Sequence, residues 1–314
     1  MEQKVIASNA LGDLIKKAGE SVLSTLLPLL EDGLQASPDV DVKQGICIAL
    51  RELITSASPE ALEDYEKVLI STVRVALVDG DEGVREAAAE AFDALQHVLG
   101  KRAVDQVLPY LLSLLGDSEN AEQALSALLT LLTEQTRANV ILPSLIRTLL
   151  TPPISTFNAK ALGSLSKVAG PTMTRRLPAI LEALMDNIIS APDEEHRAEM
   201  DSAFSTVLVS VDEFDGLNVI MSTMLGFMKH DDHRRRASAA NHLAKFFSEA
   251  DIDFSRYYPD LIDVLLTSFD DRDKEVVKAA WTALSGLTSH MRKEEMEVLV
   301  VPTRQTLRQV GVAG

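Results

Sequence analysis

The feature that most constrains the fold is a proline that returns inside apolar segments at a nearly regular spacing. The prolines are Pro28, Pro109, Pro143, Pro178 and Pro259, and the intervals between them are 81, 34, 35 and 81 residues, one or two multiples of a length near forty. Each is followed by an apolar run and then by a polar turn. Because proline lacks the N–H that a helix interior uses, its regular return in otherwise helical segments indicates a repeated structural unit.

Aligned segments give a unit of two helices joined by a short acidic turn. In one unit "YEKVLISTVRVALV" is the first, or A-type, helix, "DGDEG" is the turn and "VREAAAEAFDALQHVLG" is the second, or B-type, helix. In the B-type helix, Val84, Ala87, Ala88, Ala91 and Leu95 recur at the spacing of one helical face. B-type helices are predicted to begin near residues 42, 83, 119, 155, 194, 232 and 273. Counting half-units at both ends, we expect eight helices of each type.

Composition supports helices and limits the partners. Hydrophobic residues make up 46% of the 314 residues but aromatic residues only 4%, which disfavours sheets. The net charge of −17 would repel nucleic acid and anionic lipid, so we expect neither as a partner. Cys47 is the only cysteine, which indicates a reducing compartment. Because no secretion signal or membrane-length apolar run is present, we expect a soluble protein of the cytoplasm.

The two-helix unit resembles HEAT repeats, in which the A-type helix is commonly bent by a proline. This resemblance predicts an all-α fold, an α-solenoid of HEAT-like helical hairpins that runs as one continuous domain over residues 1–314, a fragment of a larger protein. The helices that contain Pro109 and Pro178 are expected to be bent or broken there. For Pro143 and Pro259 the alternative is a place in the first helical turn, where proline is tolerated.

No motif of catalysis stands out. The chain has no phosphate-binding glycine loop and no nucleophile elbow, so we expect no enzyme activity and no cofactor. The best metal candidate is "HDDH", residues 230–233, but we expect it to be a solvated turn because no other histidine is placed beside it. An enzyme that uses the acidic turns as a metal site remains the alternative of a different class.

A periodic basic signal is more informative. A base stands near the start of most B-type helices, and the set is Lys43, Arg85, Lys160, Arg197, Arg235, and Lys274 or Lys278. Equivalent positions of stacked repeats line up, so these side chains are expected to form a ladder. In the alternative interpretation each base only pairs with an aspartate of its own turn. The run Arg234, Arg235 and Arg236 exceeds what such pairing needs. The predicted partner-binding residues are therefore Arg234, Arg235, Arg236, Arg197 and Lys274.

Four segments in order carry a family resemblance: "QGICIALRELITSAS", "VREAAAEAFDAL", "LTPPISTFNAKALGSLSKVAG" and "VVKAAWTALSGLT". They resemble the C-terminal HEAT segment of the general control non-derepressible 1 family of translational activators. The resemblance implies a non-catalytic scaffold that binds the RWD domain of the protein kinase that phosphorylates initiation factor two alpha during amino-acid starvation. It also implies that ribosome contacts lie in regions outside this chain, and that the kinase contact uses basic surface residues. The alternative is a HEAT scaffold of another complex, such as a transport receptor or a phosphatase scaffold.

Overall fold

The protein is described by a computed structural model that covers residues 2–18, 20–309 and 311. Within these residues the backbone forms α-helices and short 3₁₀ segments, and no strand occurs. The helices are α1 (Glu2–Ala18), α2 (Leu23–Ala36), α3 (Val40–Ser56), α4 (Pro59–Glu63), α5 (Glu66–Leu77), α6 (Glu82–Leu99), α7 (Lys101–Leu115), α8 (Ala121–Leu132), α9 (Gln135–Leu149), α10 (Thr156–Ala169), α11 (Leu177–Ile189), α12 (Glu194–Val209), α13 (Phe214–Met228), α14 (His233–Glu249), α15 (Tyr258–Thr267), α16 (Lys274–His290) and α17 (Lys293–Gln309).

The helices alternate as the sequence predicts. The B-type helices are α1, α3, α6, α8, α10, α12, α14 and α16, and those after α1 begin within two residues of the predicted positions. The A-type helices are α2, α5, α7, α9, α11, α13, α15 and α17, with the short helix α4 placed before α5. The prediction of an all-α solenoid of helical hairpins is therefore confirmed.

The chain forms two compact units, residues 1–145 and residues 146–314. In the first unit α1, α3 and α6 pack side by side, and α2, α5 and α7 form the second layer. In the second unit α10, α12, α14 and α16 form the layer of B-type helices, and α11, α13, α15 and α17 form the layer of A-type helices. The continuity of one domain over residues 1–314 stays a prediction.

Small residues make the close contacts between neighbouring B-type helices. Between α14 and α16, Ala239, Ala240, Ala279, Ala280 and Ala283 are all buried. The absence of long side chains there lets the two helices approach closely, while leucines of the A-type helices fill the space between the layers. The predicted apolar face of α6 is buried as well, except that Ala87 is half-buried.

The acidic turns begin the B-type helices. Asp39, Asp81, Asp193, Asp232 and Asp273 each occupy the N-cap position, and each side chain accepts a hydrogen bond from a backbone N–H of the first turn. Such caps satisfy N–H groups that have no partner within the helix, and the negative charge complements the helix dipole. The repeated aspartates are therefore explained by helix initiation.

The prolines divide into two groups. Pro28, Pro109 and Pro143 lie inside α2, α7 and α9, whereas Pro178 and Pro259 lie in the first turn of α11 and α15, directly after 3₁₀ segments. The predicted break is thus confirmed at Pro178, whereas α7 continues through Pro109 as one helix, and a bend of α7 at Pro109 stays a prediction. The first-turn alternative holds for Pro259 and is wrong for Pro143.

Two glycine substitutions in the first unit should have opposite effects on stability. Gly100 ends α6 at φ +57° and ψ −135°, a conformation that side chains with a Cβ avoid, so Gly100→Ala should destabilise the chain by about 1–3 kcal/mol. Gly45 lies inside α3 with open space where the Cβ of an alanine would lie, so Gly45→Ala should stabilise it by up to about 1 kcal/mol. Urea denaturation followed by circular dichroism measures both, and a loss of stability at Gly45 would contradict this account.

Candidate protein-interaction surface

A base occupies the fourth helical position, counted from the N-cap aspartate, in four of the B-type helices. These residues are Lys43 in α3, Arg85 in α6, Arg197 in α12 and Arg236 in α14. The periodic base predicted from the spacing is therefore present in two helices of each unit, but its member in α14 is Arg236 rather than Arg235. Lys160 and Lys278 lie one position further along their helices. The sequence does not fix the first residue of each helix, and an error of one residue there explains why Arg235 was predicted in place of Arg236.

The fourth-position base can bond forward, to the turn before the next B-type helix. Lys43 Nζ lies 2.8 Å from Asp79 Oδ2, and Arg236 Nε lies 2.7 Å from Asp271 Oδ2. Asp79 and Asp271 each stand two residues before an N-cap, and the Oδ1 of each accepts the N–H of that N-cap residue at 2.9 Å. We call this base–aspartate bond the staple, because it joins two successive hairpins. For Lys43 and Arg236, the alternative interpretation of pairing with an aspartate of the same turn is therefore wrong, because both bases pair with an aspartate of the next turn.

Arg236 makes the most complete of these contacts. Its guanidinium donates to both carboxylate oxygens of Asp271, and its Nη1 donates to the carbonyls of His230 and Asp231 at 2.8 and 2.9 Å. Arg85 Nη1 reaches the equivalent carbonyls of its own turn, those of Asp79 and Gly80. The bond from Arg236 lowers the pKa of Asp271 below its ordinary value, because it favours the charged carboxylate. Arg236 therefore has a structural role, because its guanidinium is bonded within the protein.

Arg197 is a staple residue without its aspartate. The position two residues before the next N-cap holds His230, whose Nδ1 accepts the Asp232 N–H at 3.0 Å and so replaces only the hydrogen-bonding role of Asp79 or Asp271. Arg197 instead has one ion pair, 3.3 Å to Glu194 on its own helix, and 48% of its side chain is exposed. An exposed pair of this kind contributes little to stability, so the guanidinium remains free to meet a partner.

Arg235 is turned in the other direction, toward the layer of A-type helices. Its Nη1 donates to Glu182 Oε1 at 2.7 Å and its Nη2 to Asp186, both on α11, and only 14% of the side chain is exposed. Two carboxylates compensate one guanidinium here. Arg235 thus links α14 to the A-type helix of the preceding hairpin.

Arg234 is the most exposed of the three consecutive arginines. Some 57% of its side chain is accessible, and its ion pair is with Asp232, the N-cap of its own helix, at 2.8 Å. The hydrogen bonds from the Arg234 side chain and backbone lower the pKa of Asp232 to about 2. Lys274, the first residue of α16, is exposed and makes no ion pair with any residue that the structure describes. Arg197, Arg234 and Lys274 are therefore the predicted site residues that the fold leaves accessible.

A groove of about 650 Å³ lies on the face of α12, α14 and the start of α16. Arg197 and Arg234 line it, together with Lys245, which the sequence interpretation did not single out. Lys245 lies eleven residues after Arg234, which is three helical turns, so both belong to one face of α14. The eleven-residue spacing could have indicated in the sequence that Lys245 lies on the same face as Arg234. It identifies Lys245 as a groove residue only when the position of the neighbouring helix α12 is known.

The "HDDH" turn is used by the fold in several ways. The His230 ring accepts the N–H of Asp232, and the carbonyl of Asp231 accepts a hydrogen bond from Arg236. Asp232 is the N-cap of α14, and His233 Nδ1 lies 3.1 Å from Asp273 Oδ2. In the part of the chain that the structure describes, no three His, Cys, Asp or Glu side chains converge as metal ligands would. Over the same residues, no helix has both the length and the apolar character of a bilayer span.

Two layers of helices, capped acidic turns and side-chain bonds between successive hairpins define the chain as a HEAT-repeat protein. Its family is then given by comparison: residues 141–313 match the family model described as stalled ribosome sensor GCN1-like, HEAT repeats, and the chain belongs to this family. The assignment confirms the resemblance seen in the sequence.

The relatives are long proteins of which this chain matches a small part. It is 41% identical over 310 residues to the eIF-2-alpha kinase activator GCN1 of Saccharomyces cerevisiae, which covers 98% of this chain and 12% of the relative. It is 34% identical over 313 residues to the stalled ribosome sensor GCN1 of Homo sapiens, covering 99% of this chain and 11% of the relative. For the eIF-2-alpha kinase activator GCN1 of Dictyostelium discoideum the identity is 32% over 304 residues, 96% of this chain and 11% of the relative.

Proposed function

We propose that this chain is a non-catalytic scaffold segment that binds the RWD domain of the kinase of initiation factor two alpha. The relatives named as activators of that kinase support this assignment over a transport receptor or a phosphatase scaffold. Regions outside this chain would contact the ribosome, as the name ribosome sensor of other relatives suggests. Binding in the cytoplasm would then activate the kinase by raising its local concentration and orienting it.

The observation that carries the proposal is the exposed positive charge of Arg197 and Arg234 on a chain of net charge −17. Arg197 has lost its staple aspartate, and Arg234 lies outside the register of the staples. Neither charge is needed to hold hairpins together, so both are available to an acidic face of a folded partner. Opposite charges across an interface mainly accelerate association and give specificity. Lys274, exposed at the start of α16, is the third accessible base of the predicted set.

Reversing both charges tests the proposal. The Arg197→Glu/Arg234→Glu variant should bind the purified RWD domain at least tenfold more weakly, mainly through slower association, and the wild-type affinity should fall steeply with salt. Surface plasmon resonance at several ionic strengths measures both effects. Arg147→Glu/Arg175→Glu, an equal change of charge at exposed residues at the end of α9 and before α11, is the matched control. Unchanged affinity in the folded double variant would overturn the proposal.

A further inference from the structure

The groove is built from two matching helical stripes. The α12 stripe consists of Glu194, Arg197, Ala198, Asp201, Ser202 and Ser205, and the α14 stripe consists of Arg234, Ala237, Ser238, Asn241, His242 and Lys245. In both stripes the successive residues are separated by three, one, three, one and three positions, so that every second residue follows after four, which is the spacing of one helical face. Two parallel stripes of this kind make a channel along the helices rather than an isolated pit.

The floor of the groove consists of small side chains, and its middle is polar. The short side chains of Ala198, Ser202 and Ala237 leave the groove open. The exposed side chain of Asn241 carries both a hydrogen-bond donor and an acceptor. The Oγ of Ser238 is buried and makes no hydrogen bond with the described residues. A buried hydroxyl without a partner is costly, so a ligand that supplies one would gain affinity. The N–H and C=O groups of an extended peptide backbone fit this lining.

Positive charge marks the two ends of the groove. Arg234 and Lys245 are about 16 Å apart along α14 at 1.5 Å per residue. Lys245 is exposed and has no ion pair among the described residues. The lining also contains four acids: Glu194 lies 3.3 Å from Arg197, Asp201 lies 3.0 Å from His242, Asp273 lies 3.1 Å from His233, and Glu275 is the fourth.

The polar lining of the groove favours an extended segment over a helix. The backbone N–H and C=O groups of a helix are paired with one another, whereas those of an extended segment are free to bond with Ser238 and Asn241. An extended chain rises about 3.3 Å per residue, so five residues span the distance between Arg234 and Lys245. We propose that the groove binds an extended segment of the partner, with two carboxylates about five residues apart that meet Arg234 and Lys245.

This inference rests on the proposed function, since the partner segment belongs to the RWD domain that the exposed arginines are proposed to bind. It adds that the contact continues along the helices into the groove. A partner that touched only the helix starts would need neither the groove floor nor Lys245.

Two substitutions test the groove itself. Ser202→Trp fills the floor from an exposed position, and Lys245→Glu reverses the charge at the far end. Each should weaken binding of the RWD domain about fivefold or more, with an unchanged circular dichroism spectrum. The matched controls are Ser113→Trp, an exposed serine of α7, and Arg175→Glu, and both should bind like the wild type. The full chain and the purified RWD domain are used throughout.

A photoreactive benzoylphenylalanine at position 241 supplies a second measurement. We expect it to cross-link to a loop or terminal segment of the RWD domain that contains acidic residues, identified by mass spectrometry. Wild-type affinity in both Ser202→Trp and Lys245→Glu, with the Arg197→Glu/Arg234→Glu variant still impaired, would overturn the groove while the proposed function stands. A wild-type chain that does not bind the RWD domain would overturn both.

Discussion

Replacing Phe204 by alanine should lower the free energy of unfolding by about 3–5 kcal/mol, the usual cost of deleting a buried aromatic ring. Phe204 is fully buried in α12. Its ring lies 6.3 Å from that of Phe227 in α13 and 4.3 Å from that of His242 in α14, measured between centroids. The ring therefore joins three helices of two hairpins, and the cavity left by alanine could not close without moving all of them.

The control for Phe204 is the same substitution at an exposed ring in the same unit. Phe214 is 48% exposed and contacts Arg256 through a cation–π interaction, so Phe214→Ala should cost less than about 1 kcal/mol. Urea denaturation gives the stability of each variant, and hydrogen exchange of α12, α13 and α14 shows whether the loss is local, as expected for stacked repeats. Equal losses of stability in the two variants would contradict the conclusion that Phe204 holds α12, α13 and α14 together.

Removing the staple at Arg236 should be the next largest effect. Arg236→Ala leaves the carboxylate of Asp271, only 10% exposed, without its cation, and frees two carbonyls of the turn. We expect a loss of about 2–3 kcal/mol, in the range measured for hydrogen bonds to charged groups that leave a buried partner. Arg234→Ala, two residues away and exposed, should change stability by less than about 0.5 kcal/mol.

The loss at Arg236 should depend on pH. The pKa of Asp271 in the folded protein lies below its ordinary value of 3.8, so its stabilising contribution is present above about pH 4 and is lost as the pH falls toward the folded value. The difference in stability between wild type and Arg236→Ala should accordingly shrink below pH 4. Denaturation at pH 7 and pH 3 measures it, and an equal difference at both values would contradict the staple.

Much of the fold could be predicted because it is repeated. Each hairpin has an apolar A-type helix, an acidic turn and a B-type helix with small residues, so an error in one unit is corrected by the others. The exceptions are local: α7 continues through Pro109, although proline removes one of its N–H groups. Periodicity places a helix, but the packing of its buried face determines whether the helix tolerates a local defect.

The candidate surface was less predictable than the fold. Three consecutive arginines look equivalent in the sequence, yet the helix separates them by about 100° each and sends Arg235 to α11, Arg236 to Asp271 and Arg234 to solvent. The availability of Arg197 depends on His230, more than thirty residues away, which stands where two other turns have an aspartate. Which arginine is accessible therefore depends on contacts between two hairpins, and it cannot be predicted from the residue spacing within one hairpin.

The staple also sets rules for exchanging hairpins. Its base and its aspartate come from different hairpins, as in Lys43 with Asp79 and Arg236 with Asp271, so neither hairpin contains the complete bond. A graft that moved one hairpin would keep this bond only if a fourth-position base met an aspartate two residues before the next N-cap. In α16 that fourth position is Val277, which could not supply the bond. A duplicated or transplanted hairpin should therefore be tolerated best where its junction with the next hairpin provides both the base and the aspartate. Chimeric proteins can be chosen on that criterion.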